Sequence, residues 1–128
     1  MKPRYVVVIA AMLLLGTFNA FAADRLTYDA KAFQAARDAG KPILVHVTAP
    51  WCTECKAQKP IVAALALQPE YKDLTIFDVD FDTQKDAVRT LDVQMQSTLI
   101  AYKGKTEVAR AVGITKREAI ESIFKKAL

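Results

Sequence analysis

Two periodicities of apolar residues alternate along this chain. Between Asp29 and Ala39 the stretch DAKAFQAARDAG sets Ala32, Phe33, Ala36 and Ala39 at helical spacing and stops at Gly40, a residue favoured just past a helix end. KPILVHVTA follows, a continuous apolar run rich in β-branched residues, which suits a strand buried on both faces. From Cys52 to about Leu67 the helical period returns, with Ile61, Val62, Leu65 and Ala66 on one stripe and Pro60 inside it, where a kink is expected. LTIFDVDF, Leu74 to Phe81, reads as a second buried strand, and DTQKDAVRTL as a helix capped by Asp82 or Thr83.

The C-terminal part changes style. TLIAY and EVARAV flank KGKT, a short glycine-containing connection that fits an antiparallel hairpin. Thr115 and Glu118 in TKRE form a capping box, and Ile120, Ile123 and Phe124 line one face of a closing helix. With a short first strand near Leu26 the order is β-α-β-α-β-α-β-β-α. Alternating strands and helices imply parallel pairing, so the expected fold is α/β, a central mixed sheet with a C-terminal antiparallel hairpin, flanked by helices. No internal repeat, low-complexity tract or linker interrupts it.

The first 22 residues stand apart. Lys2 and Arg4 precede the apolar run YVVVIAAMLLLG, and Ala20 and Ala22 occupy the positions a signal peptidase reads. Residues 1–22 are therefore expected to be a signal peptide and residues 23–128 one domain, with no stable membrane insertion after cleavage and a periplasmic or otherwise exported location. The alternative is an uncleaved anchor, since Tyr5 to Ala23 carries no charge and approaches the roughly 20 apolar residues that span a bilayer. No cysteine ends the run, so a lipoprotein anchor is not available. The whole chain has 18 Lys and Arg against 14 Asp and Glu, a formal charge of +4, and loss of Lys2 and Arg4 leaves +2. The remaining basic residues are scattered among acids without interleaved aromatics, which gives nucleic-acid binding no support.

The only two cysteines lie in PWCTECK, at positions 52 and 55. A closed zinc site takes four protein ligands, whereas this chain offers two cysteines and one histidine, His46. As a staple, a four-residue loop contributes only about 2 kcal/mol in the loop-entropy model. Electron exchange remains. A helix beginning at the Trp51–Cys52 pair puts Cys52 at its positive end, where a thiolate is stabilised and the pKa can fall from about 8.5 towards 7. Cys55, one turn on, shares that face and can resolve a mixed disulfide.

ILVHVTAPWCTECKAQKP resembles the active-site strand and helix of the thioredoxin family: tryptophan before the first cysteine, lysine after the second, proline five residues beyond it. STLIAYKGKTEVARAVG is similar to the family's PTLLLFKNG hairpin and the glycine that follows, and the likeness covers nearly all of residues 23–128. The resemblance implies a thiol-disulfide oxidoreductase with Cys52 and Cys55 as the catalytic dithiol and no cofactor. It further implies that Trp51, Gln96, Ser97 and Thr98 bind disulfide-containing client proteins and that a membrane electron donor recharges the dithiol.

Two departures from the family follow. Where its members carry a cis-proline just before the threonine of the hairpin, this chain has Ser97, whose peptide is either trans or held in a cis form costing about 3 kcal/mol. Six residues before Cys52, where thioredoxins usually keep a buried aspartate, stands His46, and the family's frequent lysine on the neighbouring strand falls on Asp78. Acid and base are exchanged. Asp78 is placed to accept the ring N–H of His46 across adjacent strands, and His46 to accept or relay the proton of Cys55, making both candidate catalytic residues. The other reading is a core histidine satisfied for stability alone.

Between the cysteines, Glu54 disfavours a nearby thiolate and stabilises the disulfide, a lean towards reductant that Lys56 opposes. The alternative function is a module binding copper or another soft metal, with Cys52, Cys55 and Met95 as ligands.

Overall fold

A computed structural model describes residues 21–128 of the chain. Most of the expected signal peptide, residues 1–20, lies outside the described residues, and among those described no helix is long and apolar enough to cross a membrane.

Nine elements follow in the expected order: β1 (Asp24–Thr27), α1 (Ala30–Asp38), β2 (Pro42–Thr48), α2 (Thr53–Ala66), β3 (Thr75–Asp80), α3 (Lys85–Thr90), β4 (Thr98–Lys103), β5 (Thr106–Val112) and α4 (Arg117–Ala127). They form one sheet in the order β1-β3-β2-β4-β5. β1, β3 and β2 run parallel, β4 is antiparallel to β2, and β5 returns antiparallel to β4.

Side chains on the central strands alternate between two cores, as the two-residue strand period requires. Ile43, Val45 and Val47 of β2 face a cluster with Phe33 and Ala36 of α1 and Ala87 and Val88 of α3. Leu44 faces the opposite layer, where Val62 and Leu65 of α2 meet Ile120 and Phe124 of α4. The unbroken apolar run of β2 is thus explained by helices on both faces. His46 and Asp78, two residues on from Leu44 and Ile76, belong to the α2/α4 side, and they are register partners on β2 and β3.

α2 carries Pro60 within its span, where the sequence places it. Two local expectations about caps shift. α4 begins at Arg117 with Lys116 as N-cap and no side-chain cap bond, so Thr115 stands one residue outside the position a capping box needs. α3 is capped by Gln84 rather than by Asp82 or Thr83. The amides of those two residues are taken instead by Asp80 Oδ1, at 2.8 and 3.0 Å, in the turn after β3.

Candidate active site

β2 ends at Thr48, and the chain turns through Ala49, Pro50 and Trp51 into α2. Cys52 is the N-cap of that helix, as the sequence implies, with extended backbone, and its Sγ accepts the Cys55 amide at 3.2 Å. Cys52 and Cys55 are joined as a disulfide with Cα atoms 5.2 Å apart. Once the pair is reduced, the same amide and the unpaired N–H groups of the first helical turn favour a thiolate at Cys52. Glu54 opposes this, its carboxylate standing 3.9 Å from Cys52 Sγ. The disulfide packs against Ala49 and Phe81, and the Lys85 ammonium lies 4.9 Å from the Phe81 ring centre. Phe81 escaped the sequence reading because its period marks only the end of a strand.

Trp51 is 58% exposed, and its indole N–H donates to Asp82 Oδ2 at 2.8 Å, pinning the ring to the turn after β3. Opposite lies the segment entering β4. Gln96 is half-buried, while Ser97 and Thr98 are buried, and the Thr98 hydroxyl donates to Met95 O at 2.7 Å. Met95 itself is exposed. The described chain contains no cis peptide; Ser97 is trans and takes φ 57°, in the left-handed region. A residue with φ near −65°, as proline demands, cannot occupy that geometry, so the loop follows a different path from one built on cis-proline.

The His46–Asp78 hydrogen bond expected from strand adjacency is not made. His46 Nδ1 is 3.9 Å from Asp78 Oδ1, beyond hydrogen-bond distance, and has no bonded partner. Arg25 of β1 accounts for this: its Nε and Nη2 donate to Asp78 Oδ2 and Oδ1 at 2.7 and 2.9 Å, a bidentate grip that draws the carboxylate towards the sheet edge. The imidazole is fully buried and bonds through Nε2 to Gln58 Oε1 at 3.0 Å. Burial, above all, holds the His46 pKa below its ordinary 6.5; the Gln58 bond and Asp78 pull it upward, and the charges of Arg25 and Lys59 push it down. Gln58 escaped the sequence reading. A glutamine three residues after Cys55 passes for a polar helix position, and only the fold shows that it points inward.

A disulfide across the first turn of a helix, at the C-terminal end of a central strand, is the arrangement of a dithiol exchange site. The Thioredoxin family model matches residues 25–126. An H-type thioredoxin from Fagopyrum esculentum is 35% identical over 91 residues, 71% of this chain and 77% of that protein. A bifunctional thioredoxin reductase/thioredoxin from Mycobacterium leprae is 32% identical over 92 residues, 72% of this chain and 20% of the relative. Among solved structures, Trxlp from Edwardsiella tarda superposes with a TM-score of 0.76 at 40% identity, covering 79% of this chain and 98% of that one. The chain belongs to the thioredoxin family, and with its Cys52–Cys55 pair it is a thiol-disulfide oxidoreductase acting on disulfide-containing substrates.

Proposed function

We propose that the protein is an exported thiol-disulfide oxidoreductase that leans towards reducing or reshuffling client disulfides, with Cys52 as nucleophile and Cys55 as resolving thiol. The observation that carries the assignment of roles is the N-cap position of Cys52, whose sulfur alone receives a helix amide. The Cys52 thiolate attacks a client disulfide, forming a mixed disulfide and expelling one client thiolate. Cys55, deprotonated, then attacks Cys52 Sγ, forming the intramolecular disulfide and expelling the second client thiolate. Two electrons pass to the client, and its two thiolates take up the two protons that the dithiol gave. Trp51, Gln96, Ser97 and Thr98 form the wall on which the client lies. Glu54, beside Cys52 Sγ, favours the disulfide over the thiolate and supports the reductant direction.

His46, bonded through Nε2 to Gln58 one turn beyond Cys55, takes up a proton as Cys55 loses one, and Nδ1, facing Asp78, is its free nitrogen. Export is supported by Lys2, Arg4 and the apolar run that follows them. An exported reductant needs electrons delivered across the membrane, hence a membrane donor; the reductase joined to thioredoxin in the Mycobacterium leprae relative supports a reductase-type supply.

Equilibration of the purified protein with dithiothreitol or glutathione gives the potential of the pair. A value near about −270 mV supports the reductant, and one near about −120 mV makes the protein an oxidant. Cys52→Ser abolishes exchange, whereas Cys55→Ser accumulates mixed disulfides; equal accumulation in both variants removes the assigned roles. Intact mass of the protein from fractionated cells decides whether residues 1–22 are removed.

A further inference from the structure

Gln58 is fully buried in mid-helix, and each hydrogen-bonding atom of its amide has a partner. Nε2 donates to Ser97 O at 3.1 Å and to Ile114 O at 2.9 Å, which uses both of its protons. These two carbonyls fix the orientation of the amide, because the flipped form would set Oε1 against two acceptors. Oε1 therefore faces His46 Nε2, at 3.0 Å, and has to receive a hydrogen from it. The neutral imidazole thus carries its proton on Nε2, the nitrogen turned towards α2. Nδ1 keeps its lone pair, buried without a bonded partner on the side of β3.

The same amide reaches the loop beside the dithiol. Ser97 O accepts from Gln58 and from the Gly113 amide, at 3.1 and 3.0 Å, and these two bonds hold a non-glycine residue at φ 57°. One side chain, one turn beyond Cys55, joins the active-site helix, the imidazole on β2, the turn entering β4 and the segment leading to α4. An apolar side chain in its place would leave the Ile114 carbonyl and the His46 ring N–H without these partners, so the amide carries structural weight as well.

We propose that Gln58 is a positioning residue of the exchange reaction, tying the conformation of the Ser97 turn to the location of the proton on His46. This rests on the oxidoreductase reading in which His46 takes up a proton. A client strand that displaces Ser97 O shifts the amide, and with it the bond that favours the charged imidazole. The other groups facing the ring are Asp78 of β3, which favours the cation, and Arg25 of β1 and Lys59 of α2, which oppose it. β4 places the uncharged Leu99 opposite.

The test is nitrogen-resolved NMR of the His46 ring in the full folded protein, combined with single-turnover resolution rates across about pH 5 to 9. The wild-type ring is expected as the Nε2–H tautomer; an Nδ1–H assignment overturns the proposal outright. Gln58→Met keeps an unbranched side chain without donor or acceptor. The neutral ring then loses its preference for Nε2–H, and both its titration and the pH profile of resolution move down by about one pH unit, the scale of one hydrogen bond. Gln58→Glu retains an acceptor for Nε2–H while losing both donors to the loop, so the tautomer is kept and the titration moves up instead. Two variants with the wild-type tautomer and superimposable pH profiles, altered only in melting temperature, would leave Gln58 a structural residue. The tautomer is read without turnover, so failure of the oxidoreductase reading, seen as wild-type protein inert towards a client disulfide, is distinguishable from failure of this one.

Discussion

The β2–β4 ladder has two ends, and they are built by different rules. At the hairpin end, where Pro42 pairs with Lys103, positive φ falls on glycines: Gly40 at 70° after α1, and Gly104 at 55° between β4 and β5. The two turns touch, for a Cβ on Gly104 would lie 3.0 Å from Gly40 Cα and 3.3 Å from Arg37 O, tighter than most real contacts, so the neighbouring backbone would have to give. The Gly104 amide donates to Lys41 O, and Arg37 Nη2 to Lys105 O. At the dithiol end, where Val47 pairs with Thr98, positive φ falls on Gly113, at 72°, and also on the non-glycine Ser97, and the buried layer holds an imidazole and an amide instead of aliphatics. Local preference and tertiary structure agree at the first end and conflict at the second. Such conflict concentrates where a chain does chemistry, because the strain persists only if surrounding bonds over-determine it.

Substituting the positive-φ residue at each end breaks the comparison most directly. Ser97→Pro demands φ near −65° where the backbone holds 57°, and is expected to cost at least about 3 kcal/mol in chemical denaturation and to disorganise the Gln58 amide. A variant as stable as wild type would show that the loop can adopt the family's cis-proline path. Gly104→Val places a β-branched side chain at φ 55° against the Gly40 backbone, at a cost of about 2 kcal/mol or more, with the disulfide-exchange rate of the folded fraction unchanged. Equal losses of exchange activity in the two variants would erase the distinction between the ends.

What was legible in the sequence follows the same division. Element order, the two-sided burial of β2, the hairpin, and Cys52 at a helix start all rest on periodicity or on glycine and cysteine spacing, which are local signals. His46 and Asp78 were correctly placed side by side, since parallel register can be counted. Their bond was not legible correctly, because the competitor, Arg25, comes from β1, and nothing local says that its guanidinium reaches the carboxylate on the neighbouring β3. Gln58 was invisible for a related reason. Its three partners lie 12, 39 and 56 residues away, so only the closed fold gives the side chain a meaning.

A smaller effect is expected from pH. The native His46 pKa lies below its ordinary 6.5, chiefly through burial, so between those two values the unfolded chain binds a proton that the native protein refuses. Stability therefore rises with pH across that window, and is lost as pH falls from about 6.5 towards the native value. Asp80, held low chiefly by the Thr83 amide, adds a separate loss only as pH falls below its ordinary 3.8. His46→Leu removes the upper window. It also leaves Gln58 Oε1 unpaired, at about 1–3 kcal/mol, but that penalty is independent of pH. Denaturation midpoints from about pH 4 to 7 separate the two, the wild-type curve bending below about 6.5 and the variant staying flat until the carboxylates titrate. A wild-type curve flat through that range would mean that the buried imidazole protonates without penalty.

The smallest expected effect concerns Arg25. Its pair with Asp78 is bidentate but about one-third exposed on each side, and such pairs contribute up to about 1 kcal/mol, less in high salt. Arg25→Gln should thus barely alter the denaturation midpoint near neutral pH. Its consequence for His46 is more specific. Arg25 lowers the pKa of the imidazole through its charge and also draws Asp78, which raises it, away from Nδ1. Removing the guanidinium acts in one direction on both counts, and the titration of His46 moves upward as the freed carboxylate closes the 3.9 Å gap. A native pKa nearer 6.5 narrows the window just described, so the variant loses less stability than wild type between about pH 6.5 and 5 despite its missing ion pair. Adding Asp78→Asn cancels that gain, since an amide brings no charge to Nδ1. The same acid profile in wild type and in Arg25→Gln would show that Asp78 does not reach His46 even when released, leaving Gln58 as the only polar partner of the ring.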